Sequence, residues 1–216
     1  MPHFSHIIFD LDGTLTDNTR GIWNSLKYAL EKMNVQDYSE DLLEHFIGPP
    51  LQQGFSRLLG MNERNTRLAV EYFREYYSEN GWHENEPYPG IRELLEELHF
   101  RGHKMYVATA KFEKFAQMII RHFEMDKYVS LLKGADYSGE KAGKAGIIAD
   151  LIKDSRLPSG GNTAMVGDTV YDIEGGKVHG LTTIAVTYGF GKRDDLQKAG
   201  PDYLVHSVEE LFEMLV

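Results

Sequence analysis

The chain has 216 residues, of which 42% are hydrophobic and 12% aromatic, so it has enough apolar residues for a substantial core and general disorder is not expected. Its formal net charge of −10 argues against a nucleic-acid polymer or an anionic membrane as the main partner, since both are themselves negatively charged. The absence of cysteine excludes a disulfide framework, a thiol nucleophile and a cysteine-based zinc site, and without a secretory signal or an apolar run of ~18 residues we expect a soluble cytoplasmic protein.

The first predicted element is a short apolar strand, His6 to Phe9, which is followed by Asp10 and Asp12. A continuous apolar run is typical of a parallel strand buried on both faces, and Gly13 ends it. Residues two apart on an extended chain point to the same side, so both carboxylates can reach a common centre. Such a pair offers a carboxylate nucleophile, a ligand for a hard cation and a second carboxyl group for proton transfer.

A long stretch after this strand has only helical periodicity. Apolar residues recur at helical spacing in four segments, which are residues 22–33, 42–46, 51–59 and 62–80. We therefore predict an all-helical cap domain of residues 18–87, inserted into a core domain of residues 1–17 and 88–216. The two connections, residues 14–18 and 82–89, are hinge candidates.

Strands and helices alternate from Pro89 onward. Apolar strands are predicted at residues 104–110, 162–166, 182–186 and 202–205, and amphipathic helices at 91–98, 147–152 and 208–215. Alternation of this kind predicts an α/β fold, a doubly wound parallel sheet covered by helices on both faces. The site of such a sheet lies at the carboxyl ends of its strands, where Asp10, Thr109 and Asp168 are expected.

Four motifs follow one another in a characteristic order: D-x-D-G-T-L from Asp10, a strand ending in Thr109, a lysine before a later helix, and G-D-x-x-x-D from Gly167. This series resembles the haloacid dehalogenase superfamily, with its Rossmann-like core, over essentially the whole chain. The resemblance implies that Asp10 is a nucleophile that forms an aspartyl-phosphate. It also implies that Asp12 protonates the leaving alkoxide and then activates water, a role that phosphatases and phosphomutases share and dehalogenases lack.

A magnesium site is the cofactor that the resemblance implies. Its protein ligands would be the carboxylate of Asp10, the backbone carbonyl of Asp12 and the carboxylate of Asp168. Asp172, one helical turn after Asp168, would orient waters or the lysine; alternatively, it stabilises the N-terminus of the following helix.

The phosphate group needs its own donors. The resemblance assigns the Thr109 hydroxyl and the Ala110 amide, the latter at a helix N-terminus, and a lysine that is either Lys144 or Lys141. Lys144 is favoured because relatives place this lysine shortly before an apolar pair. Lys111 is expected to be a solvated surface lysine.

Within the superfamily, F-I-G-P-P-L from Phe46 and Y-P-G-I from Tyr88 are similar to the phosphoglycolate phosphatase and bacterial 5'-nucleotidase branch. We therefore expect a magnesium-dependent phosphatase of a small phosphorylated metabolite, acting as a monomer or a homodimer. Gly48, Pro49 and Leu51 are candidates for substrate specificity, or else form a rigid turn. The alternatives are a phosphomutase similar to β-phosphoglucomutase and a non-catalytic binding module.

Overall fold

The computed structural model describes residues 4–47, 51–136, 143–157 and 162–216. The chain divides into two compact units, a larger one comprising the N-terminal residues to 17 together with 86–216, and a smaller one of residues 18–85. Within the described ranges, none of the helices has both the length and the apolar character that crossing a bilayer requires.

The larger unit is built on strands. In chain order these are β1 (His6–Phe9), β2 (Thr16–Asp17), β3 (Glu86–Pro87), β4 (Lys104–Phe112), β5 (Val129–Ala135), β6 (Thr163–Gly167), β7 (Thr182–Val186) and β8 (Tyr203–Val205). Six of them form one sheet in the order β5-β4-β1-β6-β7-β8, and every neighbouring pair is parallel. The chain therefore winds outward from β1 in both directions, which confirms the predicted doubly wound sheet and makes β1 its topological switch point.

The smaller unit is helical in its described residues. It contains α1 (Thr19–Lys32), α2 (Glu40–Glu44), α3 (Leu51–Gln53) and α4 (Glu63–Tyr76), and π-helical turns continue α3 to Leu58 and α4 to Gly81. Helices α1 and α4 pack against each other and bury apolar residues spaced three and four apart, among them Leu26, Leu30 and Phe73.

In the described part of the larger unit, six helices cover the sheet: α5 (Ile91–Phe100), α6 (Glu113–His122), α7 (Gly143–Ser155), α8 (Val170–Val178), α9 (Arg193–Ala199) and α10 (Val208–Leu215). The core beneath α7 joins side chains of three strands, Ile8, Tyr106 and Met165, to Ile148 and Leu151 of the helix.

Two elements differ from the pattern that the sequence suggests. Strand β5 has no counterpart among the predicted strands; it lies at the edge of the sheet and is mostly only half-buried, so its apolar pattern is weak. The segments on either side of the helical insertion, predicted as hinges, contain β2 and β3, which pair as a short antiparallel ribbon within the larger unit. This ribbon accounts for the difference between the observed division at 85/86 and the predicted junction at 87/88.

Candidate active site

The ends of three neighbouring strands bring the predicted polar residues together. Strand β1 lies between β4 and β6, with Phe9 opposite Val107 and Val166, so the carboxyl ends of the three strands meet at one edge of the sheet. Asp10 follows β1, Thr109 is the last fully buried residue of β4, and Asp168 follows β6. All three side chains are buried at the switch point, where ligands of open α/β sheets bind.

Lys144 lies in the first turn of α7 and reaches into this cluster. Its Nζ lies 2.7 Å from Asp10 Oδ1 and 2.7 Å from Asp172 Oδ1, and it donates a hydrogen bond of 3.0 Å to the Ala108 carbonyl. Burial opposes the charged form of this amine, but attraction to the two carboxylates outweighs burial and raises its pKa. Of the two lysine candidates, Lys144 is therefore in the cluster, whereas Lys141 lies outside the described residues.

The cluster has more negative than positive charge. Asp10, Asp168 and Asp172 are buried and offer oxygens that all lie within 4.8 Å of one another. Among the residues that the structure describes, one ammonium group pairs with them, that of Lys144, which leaves a net charge of minus two when all are ionised. Burial, with a further contribution from the neighbouring Asp172, raises the pKa of Asp10 to about 7 and that of Asp168 to about 8. A divalent cation would remove this imbalance, and oxygen ligands are those that Mg²⁺ prefers.

Asp172 contacts both groups that the sequence analysis considered for it, the start of the following helix and the lysine. Its Oδ2 accepts hydrogen bonds from the Thr169 amide at 3.0 Å and the Thr169 hydroxyl at 2.7 Å, which holds the first turn of α8. Its Oδ1 contacts Lys144. One buried carboxylate thus contacts both the first turn of α8 and the lysine.

Sequence reasoning missed the loop that holds Asp168. The Phe190 amide donates to Asp168 Oδ2 at 2.8 Å, and the Thr14 hydroxyl donates to Oδ1 at 3.4 Å. A Cβ on Gly191 would lie 1.7 Å from the Asp168 carbonyl oxygen, so only glycine permits this approach. The available signal was Y-G-F-G at residues 188–191, two residues past the carboxyl end of β7.

The segment after Thr109 corrects two expectations. Strand β4 continues to Phe112 and α6 begins at Glu113, so Ala110 is exposed in extended chain and its amide is not at a helix N-terminus. Lys111 is not solvated: its side chain is 7% exposed and its Nζ lies 2.5 Å from Asp12 Oδ2. The cause is a bulge, because Thr109 pairs with Gly134 and Phe112 with the next residue of β5, which leaves two residues out of register.

Of the specificity candidates, Leu51 is the half-buried first residue of α3 in the smaller unit. Gly48 and Pro49 lie outside the described residues.

Several known proteins are similar to this chain over almost its whole length. A 5'-nucleotidase of Pseudomonas aeruginosa is 38% identical over 98% of this chain and 96% of its own. The tyrosine-protein kinase PtkA of Mycobacterium tuberculosis is 36% identical over 97% of this chain and 72% of its own, and a phosphoglycolate phosphatase of Aquifex aeolicus is 30% identical over 97% and 95%. The crystal structure of a predicted phosphatase from Clostridium acetobutylicum superposes with a TM-score of 0.88 at 36% identity, covering 98% of both chains.

The family model described as haloacid dehalogenase-like hydrolase matches residues 7–186, a range that includes Asp10, Thr109, Lys144 and Asp168. The sheet order and the buried carboxylates at its switch point agree with that match. The chain is therefore an enzyme of the haloacid dehalogenase-like hydrolase family.

Proposed function

We propose that the protein is a magnesium-dependent phosphomonoester hydrolase that acts on a small phosphorylated metabolite through an aspartyl-phosphate on Asp10. The observation that carries the proposal is the buried cluster of Asp10, Asp168 and Asp172 around Lys144. When all three carboxylates are ionised, its uncompensated charge of minus two suits a divalent cation, and with the cation bound a phosphate dianion could approach.

The contacts of Asp10 distinguish its two oxygens. Oδ1 accepts a hydrogen bond of 2.7 Å from the Leu11 amide and contacts Lys144 at 2.7 Å. Both contacts hold the carboxylate by the same oxygen, which leaves Oδ2 as the oxygen that attacks phosphorus. Holding a nucleophile in one orientation is a large part of what a protein contributes to phosphoryl transfer.

In the first step, Asp10 Oδ2 forms a bond to phosphorus while the bond from phosphorus to the leaving oxygen breaks. The proton of the Asp12 carboxyl group passes to that oxygen, so an alcohol leaves and Asp12 becomes a carboxylate. In the second step, water attacks the same phosphorus and gives a proton to Asp12. Inorganic phosphate leaves, and Asp10 is again a carboxylate.

The phosphate oxygens would be held by the Thr109 hydroxyl and by Lys144. Thr109 Oγ1 accepts a hydrogen bond of 3.1 Å from the Lys111 amide, which orients the hydroxyl and leaves its proton for a phosphate oxygen. Asp10, Asp168 and the backbone carbonyl of Asp12 would hold Mg²⁺, which when bound neutralises the dianion and positions it.

The substrate class rests on relatives and on the helical unit. Relatives named 5'-nucleotidase and phosphoglycolate phosphatase match nearly the whole chain, so nucleoside monophosphates and phosphoglycolate are the first substrates to test. We assign recognition of the leaving group to residues 18–87 acting as a cap, with Gly48, Pro49 and Leu51 as candidates.

A phosphate-release screen tests the proposal. Wild type should release phosphate from at least one nucleoside monophosphate, phosphoglycolate, sugar phosphate or p-nitrophenyl phosphate with Mg²⁺, and excess chelator should stop the reaction. Asp10→Asn should be inactive, and a phosphoenzyme trapped by acid quench should be absent from that variant. Isomerised sugar phosphate without phosphate release would favour the phosphomutase, and phosphate transfer from ATP to protein tyrosine would favour a kinase.

A further inference from the structure

Lys111 and Asp12 form an ion pair to which the proposed function gives no role. Lys111 Nζ lies 2.5 Å from Asp12 Oδ2, and the two side chains are 7% and 22% exposed. An exposed pair of this kind would be worth little, but this one is mostly buried beside the proposed nucleophile. Because Asp12 is the proposed acid and base, the ion pair with Lys111 can affect proton transfer in the reaction.

The bulge in β4 provides the reason for the contact. Between Thr109 and Phe112 the strand loses its register with β5, and Lys111 leaves the regular ladder there. A Cβ on Gly134 of β5 would lie 2.7 Å from the Lys111 carbonyl oxygen, so the neighbouring strand has a glycine where the bulge comes close. Bulges beside active sites commonly redirect a side chain, and here the redirected side chain is that of Lys111.

The two oxygens of Asp12 have different surroundings. Oδ2 is held by Lys111, whereas Oδ1 is buried and has no hydrogen-bond partner. A buried oxygen without a partner is unfavourable in a folded protein. It is expected where an arriving group completes the contact, and a leaving-group oxygen or the attacking water would do so.

We propose that Lys111 is a positioning residue for proton transfer, which holds Asp12 by Oδ2 so that Oδ1 is the oxygen that gives the proton to the leaving group and takes one from water. This inference rests on the proposed function, in which Asp12 is the acid and base. Lys111 does not touch the phosphate group in this proposal; it acts only through Asp12.

Leaving groups of different basicity test the assignment. p-Nitrophenolate leaves without a proton, whereas the alkoxide of a nucleoside monophosphate or of phosphoglycolate needs one. In Lys111→Met, kcat/KM should fall by about 10²-fold for the better of these two alkyl substrates, as expected when a catalytic group is misplaced. For p-nitrophenyl phosphate it should fall less than about threefold, because kcat/KM reports the step that forms the phosphoenzyme.

Two further readouts sharpen the test. With p-nitrophenyl phosphate, Lys111→Met should release a burst of p-nitrophenol equal to the enzyme concentration, because slow water activation leaves the phosphoenzyme to accumulate. Lys111→Arg should retain most of the wild-type activity with the alkyl substrate.

Lys133→Met is the matched control, since it removes a lysine from an ion pair of 2.6 Å with Asp154 elsewhere in the larger unit. Its ratio of alkyl to aryl turnover should equal that of wild type.

The ratio of the two kcat/KM values is measured on one preparation, so partial misfolding of a variant cancels. An equal loss for both substrates would overturn the inference and make Lys111 a phosphate-binding residue, and full wild-type activity with both substrates would overturn it too. Asp12→Asn combined with Lys111→Met should lose no more than Asp12→Asn alone; additive losses would contradict action through Asp12. If the wild-type protein hydrolyses no phosphomonoester, the proposed function is refuted. The outcomes described above for the Lys111 variants are measured with an active wild-type enzyme, so they test the role of Lys111 separately.

Discussion

Replacing Asp10 by Asn should stabilise the metal-free protein at pH 8, although it should abolish turnover. Asp10 is buried with Asp168 and Asp172, and Lys144 supplies one positive charge against the three carboxylates. Asparagine keeps the shape of the side chain and its accepting oxygen, but it removes one negative charge. The cluster then has one uncompensated charge instead of two.

The magnitude follows from the pKa of Asp10, which burial raises to about 7 from its ordinary value of 3.8. Because the pKa is higher in the folded state, the native protein binds this proton more tightly than the unfolded chain, and its stability falls as pH rises from about 4 to about 7. Each pKa unit corresponds to about 1.4 kcal/mol. The pKa of the neighbouring Asp168 is raised as well, so the two groups titrate together and the whole shift cannot be assigned to Asp10 alone. We therefore expect Asp10→Asn to gain about 2–4 kcal/mol in free energy of unfolding at pH 8, and almost nothing near pH 4.

Urea denaturation in excess chelator at pH 4, 6 and 8 measures this difference. Excess Mg²⁺ at pH 8 should reverse the order of stability, because a ligand that binds the native state stabilises the variant with the intact site more. Asp195→Asn serves as the control: Asp195 is exposed and paired with Lys198, so the change should stay within about 0.5 kcal/mol. An Asp10→Asn protein less stable than wild type at pH 8 in chelator would refute the reasoning, as would a gain independent of pH.

Lys144→Met should lower the free energy of unfolding by about 3–5 kcal/mol, because it leaves two buried carboxylates without their cation, and a thermal melt equal to that of wild type would contradict this. Thr109→Val should lower kcat/KM by about 10²-fold for aryl and alkyl phosphates alike, since the hydroxyl contacts the group that all substrates share; a loss confined to one class, measured by phosphate release, would assign Thr109 to the leaving group. Gly191→Ala should displace Asp168, whose carbonyl oxygen would lie 1.7 Å from the added Cβ, and titration calorimetry with Mn²⁺ should then show weaker binding. Unchanged Mn²⁺ affinity would mean that this loop does not position the cation ligand.

Much of the architecture could be predicted from the sequence because its signals are local. The apolar run of β1 and the alternation after Pro89 indicate a parallel sheet, and polar residues after buried strands must meet at one edge of it. Asp10, Thr109 and Asp168 could therefore be placed together before any contact was known. Strand β5 could not be predicted in this way. It is an edge strand that is mostly half-buried and includes Lys133 and Gly134, so it lacks the continuous apolar run that is typical of a buried strand.

The sequence by itself determined the order of the elements and which side chains reach the carboxyl edge of the sheet, since both depend on periodicity along a few consecutive residues. The tertiary structure alone decided which atoms of those side chains have partners. Lys111 contacts Asp12 because a bulge removes it from the ladder, and the Phe190 amide binds Asp168 across 22 residues of chain. Neither contact has a signature in local periodicity, because each depends on how separate strand ends and loops meet after the sheet has formed.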